Sequence, residues 1–203
     1  MLALPSVALA GVLSWASGFR LYAALFIAGI LDRFHVVELP AKLAILSHTP
    51  VLVATGGLLV VEGLVDKIPV VDSAWDSVQT VVRVPFGALL AWGVFAHASP
   101  ETQAIAAILG GALAAGTHLA KAGTRAVVNA SPEPLSNWGL SFSEDGVLLA
   151  GMWLAFRHPA VFVALLALFV LLLIWLIPKL WRGVQALRNG FSRLFARGAV
   201  RRH

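Results

Sequence analysis

Two groups of ionisable residues stand out in an otherwise apolar chain. The first holds Glu62, Asp66, Lys67, Asp72 and Asp76; the second holds His118, Lys121 and Arg125, then Asn129, Ser131, Asn137, Glu144 and Asp145. Spacings of three and four place His118, Lys121 and Arg125 on one helix face, and Glu62 and Asp66 on another. A carboxylate stripe against a basic stripe makes a mutually neutralising centre. Such a centre can bind a cation, relay protons, or hold an anion or phosphate. Adding Asp72, Asp76, Glu144, Asp145, Lys67 and Arg83 brings the set to six acids and four bases, a slight negative excess. The competing reading is that these residues merely end helices and order loops. Pro69, Pro85, Pro132 and the Ser143-Glu144-Asp145 run fit that reading. It is preferred for Lys67, Arg83, Asp72 and Asp76, with Lys67 and Asp72 kept among the site candidates through their motif.

The elements that position these groups follow from composition. Of 203 residues, 59% are hydrophobic, only 12% are charged and none is cysteine. Soluble domains run near 45–50% apolar and about 25% charged, so the chain belongs in a membrane. Without cysteine, disulfides, thiolate metal ligands and a thiol nucleophile are excluded. Apolar stretches long enough to span occur at 2–31, 50 to about 71, about 80–98, 102 to about 121, 140–156 and 159–177. The expected fold is all-α, a polytopic bundle of about six spans. The first stretch exceeds one span, which predicts a break or re-entrant start near residues 5–11. It lacks a basic leader and runs past Ala10, so it reads as a span rather than a cleaved signal. Residues 32–48 read as a short amphipathic piece on the membrane surface.

At 1.5 Å per residue, a span starting at Pro50 puts Glu62 about 18 Å deep and Asp66 about 24 Å deep. Arg20 falls at similar depth, and a lone charge there costs several kcal/mol. An Arg20–Glu62 pair is therefore expected. Several of these groups lie in one half of the membrane, which predicts a water-filled vestibule opening to the cytoplasm.

With six spans, eleven Lys and Arg fall on the side of both termini and three on the other. Positive residues favour the cytoplasm, so both termini are expected there. The tail, 179–203, carries seven Lys and Arg against a net charge of +5; the rest of the chain is net acidic. Leu180, Val184, Leu187, Phe191 and Leu194 give the tail an apolar stripe, as in helices that lie on anionic leaflets. Nucleic acid is not an expected partner. The membrane domain, 1–178, contains a weak internal repeat: 87–100 matches 146–159 at six of fourteen positions, and Gly56, Gly57 and Lys67 match Gly110, Gly111 and Lys121 at an offset of 54. Two parallel helical hairpins, about 50–98 and 100–157, are the expected units, with a site at their interface.

Three motifs carry a resemblance: Ser17-Gly18-Phe19-Arg20-Leu21-Tyr22; Asp66-Lys67-Ile68-Pro69 with Asp72; and Lys121 to Arg125 with Asn129 to Pro132, Ser136, Asn137, Glu144 and Asp145. Together they resemble domain-of-unknown-function family 4126 of bacterial membrane proteins. The resemblance implies a small polytopic protein whose polar motifs act jointly, and implies no activity.

The favoured function is a transporter or channel for a small ion or polar solute, neither an enzyme nor dependent on a cofactor. A lipid-phosphate translocase or enzyme using His118, Lys121, Arg125, Ser131 and Asn137 is the first alternative. A non-catalytic membrane scaffold or accessory subunit is the second, and a second copy of the chain is a candidate partner.

Overall fold

The computed structural model describes residues 3–66, 68–129, 134–176 and 178–179. Long helices account for almost all of them: α1 (Leu4–Arg33), α2 (Thr49–Val65), α3 (Pro69–Val94), α4 (Pro100–Asn129), α5 (Pro134–Arg157) and α6 (Pro159–Leu176), with one 3-10 turn at Ala44–Ser47. Each long helix carries a proline at its first or second position: Pro5, Pro50, Pro69, Pro100, Pro134 or Pro159. Proline suits that position, since its fixed φ is helical and its missing N–H would have no partner there. Two compact units result, residues 1–166 and 167–203. In the second, the Lys179 ammonium lies 3.3 Å from the centre of the Trp175 ring, a cation–π contact.

The distribution of side chains is inverted relative to a soluble protein. Val53, Val60, Val81, Ile108 and Leu109 face outward, whereas Arg20, Glu62, Asp66, Arg83 and Arg125 are among the largest fully buried side chains. Among the described residues, four helical segments are long and apolar enough to cross a membrane: Leu4–Arg33, Ala74–Val94, Pro100–Arg125 and Pro159–Leu176. An apolar exterior around a charged interior is stable only in an apolar solvent. The protein is an all-helical membrane protein.

The first helix is built differently from the others. Arg20 has φ −146° and ψ 83°, which interrupts the helix. A straight helix would hold Pro5 and Leu31 about 39 Å apart, yet both line one cavity of about 630 Å³ with Leu9, Ile27 and Val36. Val7 and Ala10 lie by Phe95 and Thr102 at the α3–α4 connection. At the other end of α1, Arg33 donates to the Ser47 carbonyl at 3.0 Å, and Leu43 of that same loop packs on Gly93 of α3. Both ends of α1 thus lie at one end of the bundle, here the loop end, and Arg20 is the vertex of a re-entrant hairpin. The break falls at Arg20 rather than at 5–11, where the helix is regular. Arg20 leaves the helical conformation at the point where its side chain enters a cluster of carboxylates.

This corrects the expected topology at the N-terminus. Leu4 lies at the loop end, opposite the charged end where α2 meets α3 and Lys121 and Arg125 sit. The N-terminus and those basic residues do not share a side.

Small residues set the packing. α3 and α4 are joined along more of their length than any other pair, and a Cβ on Gly110 would lie 2.6 Å from the Gly87 carbonyl oxygen. The tightest helix pair therefore forms between the two repeat copies, not within either. On Gly18 a Cβ would run into the Ala114 carbonyl, whereas Gly57 has nothing within 4 Å. Residues 34–48 form turns and the 3-10 turn: Leu39, Leu43 and Leu46 are buried, Phe34, Val36 and Ile45 are exposed, and Asp32 Oδ1 accepts the Leu39 N–H at 2.8 Å.

Two outcomes check this fold. The chain lacks cysteine, so single cysteines report sidedness directly. Ala3→Cys and Ser99→Cys should react with an impermeant maleimide from one face of oriented vesicles, and Ser136→Cys from the other; co-labelling of Ala3→Cys with Ser136→Cys would contradict the hairpin. Gly18→Ala should lower thermal stability by about 1–3 kcal/mol, as overpacking does, while Gly57→Ala leaves the midpoint unchanged.

Candidate functional site

Helix ends bring the charges together. α2 stops at Asp66, whose N–H bonds to the Glu62 carbonyl at 3.0 Å, and its last carbonyls need donors. Arg125 of α4 supplies one: its Nη1 donates to the Asp66 carbonyl at 2.9 Å. The rest of that guanidinium grips Glu144 of α5 at both oxygens, Nε to Oε1 at 3.0 Å and Nη2 to Oε2 at 2.7 Å. This bidentate geometry is the strong form of an arginine–carboxylate pair.

Two carboxylate oxygens are each shared by the same three cations. Asp66 Oδ2 lies 2.9 Å from Arg20, 3.4 Å from Arg125 and 3.6 Å from Lys121. Glu144 Oε2 lies 2.7 Å from Arg125, 3.6 Å from Arg20 and 3.6 Å from Lys121. Arg20 also donates to the Ser141 hydroxyl at 2.7 Å and reaches Asp145 at 3.1 Å. Within this crowd Asp66 Oδ1 and Lys121 Nζ have no hydrogen-bond partner among the described residues.

A second set adjoins the first through Lys121, whose Nζ is 4.0 Å from Asp76. Arg83 of α3 binds Glu62 at 2.6 Å and Asp76 at 3.1 Å. It also lies 3.1 Å from His118 Nδ1. A guanidinium can only donate, so Nδ1 accepts and the ring proton is on Nε2. That nitrogen donates to Thr80 Oγ1 at 2.6 Å, and Thr80 in turn donates to the Asp76 carbonyl at 3.0 Å. The direction of every bond in the chain is thereby fixed.

The resembling motif at 17–22 is spent on positioning. Ser17 donates to the Arg83 carbonyl at 3.3 Å, Gly18 admits the Ala114 backbone, and the Gln79 amide donates to Tyr22 at 3.0 Å. Arg20 therefore enters the cluster from a segment clamped to α3 and α4.

Of the expected site residues, Arg20, Glu62, Asp66, His118, Lys121, Arg125, Glu144 and Asp145 are brought together. Lys67 and Ser131, and the side chains of Asp72, Asn129 and Asn137, lie outside the described residues, as does the tail beyond Lys179. The expected Arg20–Glu62 pair is replaced: Arg83 takes Glu62, and Arg20 takes Asp66 one turn further along. The expected open vestibule is also replaced, since Arg20, Glu62, Asp66, Arg83, Lys121 and Arg125 are all at most 2% exposed. The charges neutralise one another directly in a closed cluster. Asp145, with its side chain 43% exposed, is the exposed member.

Arg83 and Asp76 belong to the site although they read as helix ends. Their separation of seven residues, two turns on one face, was the available signal. Ser141 and Thr80 gave none. A phosphate would have to displace carboxylates from Lys121 and Arg125. Among the described residues, no three His, Asp or Glu side chains converge as metal ligands.

Fold and site together define a helical membrane protein with a closed, charged centre at the vertex of a re-entrant helix. Residues 7–179 match the family described as "Domain of unknown function (DUF4126)". The chain belongs to that family. No curated protein and no solved structure matches it.

Burial separates neighbouring carboxylates that share Arg20. Glu144→Gln should lower stability in nanodiscs by about 3–5 kcal/mol, the loss from breaking a buried pair. Asp145→Asn, half-exposed, should cost about 1 kcal/mol or less. Equal losses in thermal unfolding would contradict the closed cluster.

Proposed function

We propose that the protein is a membrane transporter or channel for a small ion or polar solute, and that the charged cluster is its site. One observation carries this reading. Four cations (Arg20, Arg83, Lys121, Arg125) and four carboxylates (Glu62, Asp66, Asp76, Glu144) are buried together at a helix break. A structural role does not account for the set, since replacing buried ion pairs with packed apolar residues is often neutral or stabilising. Intramembrane ionisable groups mark ion and substrate pathways, and transporters place such sites at broken helices.

The closed cluster corresponds to an occluded state. The cavity between the arms of α1 and the end of α5 suits an access path from the loop end. Glu38 and Arg157 line it, as does Leu149, which is one turn, about 6 Å, from Asp145. Asp145 leads from there to Arg20. The charged end faces the cytoplasm of a bacterial inner membrane in this reading.

Proteoliposomes enclosing a pH-sensitive dye test it. A solute gradient should change internal pH, and Asp66→Asn should reduce the rate about tenfold or more. No flux of any screened ion or polar solute by folded wild-type protein would remove the reading.

A further inference from the structure

Lys121 Nζ is held more loosely than the arginines of the same cluster. Three carboxylate oxygens from three helices surround it: Asp66 at 3.6 Å, Glu144 at 3.6 Å and Asp76 at 4.0 Å. A charge-assisted hydrogen bond would bring each to about 2.8 Å. The ammonium is 2% exposed and without a hydrogen bond, so it is caged without being clamped.

We infer that this cage is a binding site for one small primary ammonium ion, such as a short alkylammonium, and that Lys121 occupies it when the substrate is absent. The inference rests on the transporter reading and names its substrate class. Size argues against a bare metal ion: hard cations draw oxygens to about 2.0–2.6 Å, and no metal-ligand cluster converges here among the described residues. Charge selects a cation over an anion, since three carboxylate oxygens face the ammonium.

Spare acceptors complete the site. Asp66 Oδ1 is buried with no hydrogen-bond partner and can take an N–H of the entering ammonium. Glu62 Oε2, one turn along α2, is also buried and unpartnered, and offers the displaced Lys121 a second seat. Arg20, Arg83 and Arg125 remain with their carboxylates, and His118 remains between Arg83 and Thr80.

The test uses the full chain in nanodiscs and methylammonium chloride as probe, with sodium and tetramethylammonium chlorides at equal ionic strength. Lys121→Ala vacates the cage. Methylammonium should recover at least half of the thermal stability lost, while sodium, too small, and tetramethylammonium, without N–H, recover none. Equal recovery by all three salts, or by none, would overturn the inference. If Lys121→Ala does not fold, wild-type proteoliposomes decide. Labelled methylammonium uptake at mildly acidic pH should exceed that of empty liposomes about tenfold, and Asp76→Asn should abolish the excess, as loss of a buried charge partner does. Uptake equal to empty liposomes overturns the inference. Flux of another solute that amines do not inhibit overturns it too, while leaving the transporter reading intact.

Discussion

The ion pair between Arg20 and Asp66, 2.9 Å long and buried on both sides, is the constraint on which the rest depends. An arginine in a membrane interior must find a counter-charge, and it cannot escape by losing its proton. The chain meets this demand by breaking α1 at Arg20 and turning the helix back to the loop end. The same demand ends α2, because Asp66 caps it and receives Arg125 at both carbonyl and carboxylate. One salt bridge thus fixes the re-entrant vertex and the end of a neighbouring helix. It also ties in the C-terminal part of α4.

Two kinds of contact divide the bundle along its length. Towards the loop end, glycine, alanine and serine bring α1, α3 and α4 into backbone contact, as at Gly18, Gly87 and Gly110. Close approach is how helices gain van der Waals energy in lipid, where no hydrophobic effect drives them together. Towards the charged end the helices are held by shared carboxylate oxygens. The two are coupled by Ser17, whose hydroxyl bonds the carbonyl of Arg83 one residue before the tight glycine contact.

Much of this was legible in the sequence, and the failures have one cause. Composition and apolar runs gave an all-helical membrane fold, and helical spacing brought Lys121, Arg125 and Asp66 together. The stretch at 50–71 overruns α2, which ends at Val65, whereas those at 80–98, 102–121 and 140–156 start or stop inside α3, α4 and α5. α3 runs from Pro69 through Asp76 and Arg83, and α4 continues to Asn129, because paired charges no longer oppose burial. Reading charges as helix ends also hid Arg83 and Asp76. Depth estimated from helical rise found the correct layer for Arg20 but not its partner, since Glu62 and Asp66 differ by one turn. The fold-back of α1 has no signature in hydropathy: its two arms are together as apolar as a long span, and only the placement of Arg20 distinguishes them.

A double-mutant cycle on Arg20 and Asp66, read as thermal stability in nanodiscs, tests the central claim most directly. Arg20→Met and Asp66→Asn should each cost about 3–5 kcal/mol. The double variant should lose less than their sum by about 1 kcal/mol or more. Losses that add within about 0.5 kcal/mol would mean that the two side chains do not support each other and that something else holds the vertex of α1.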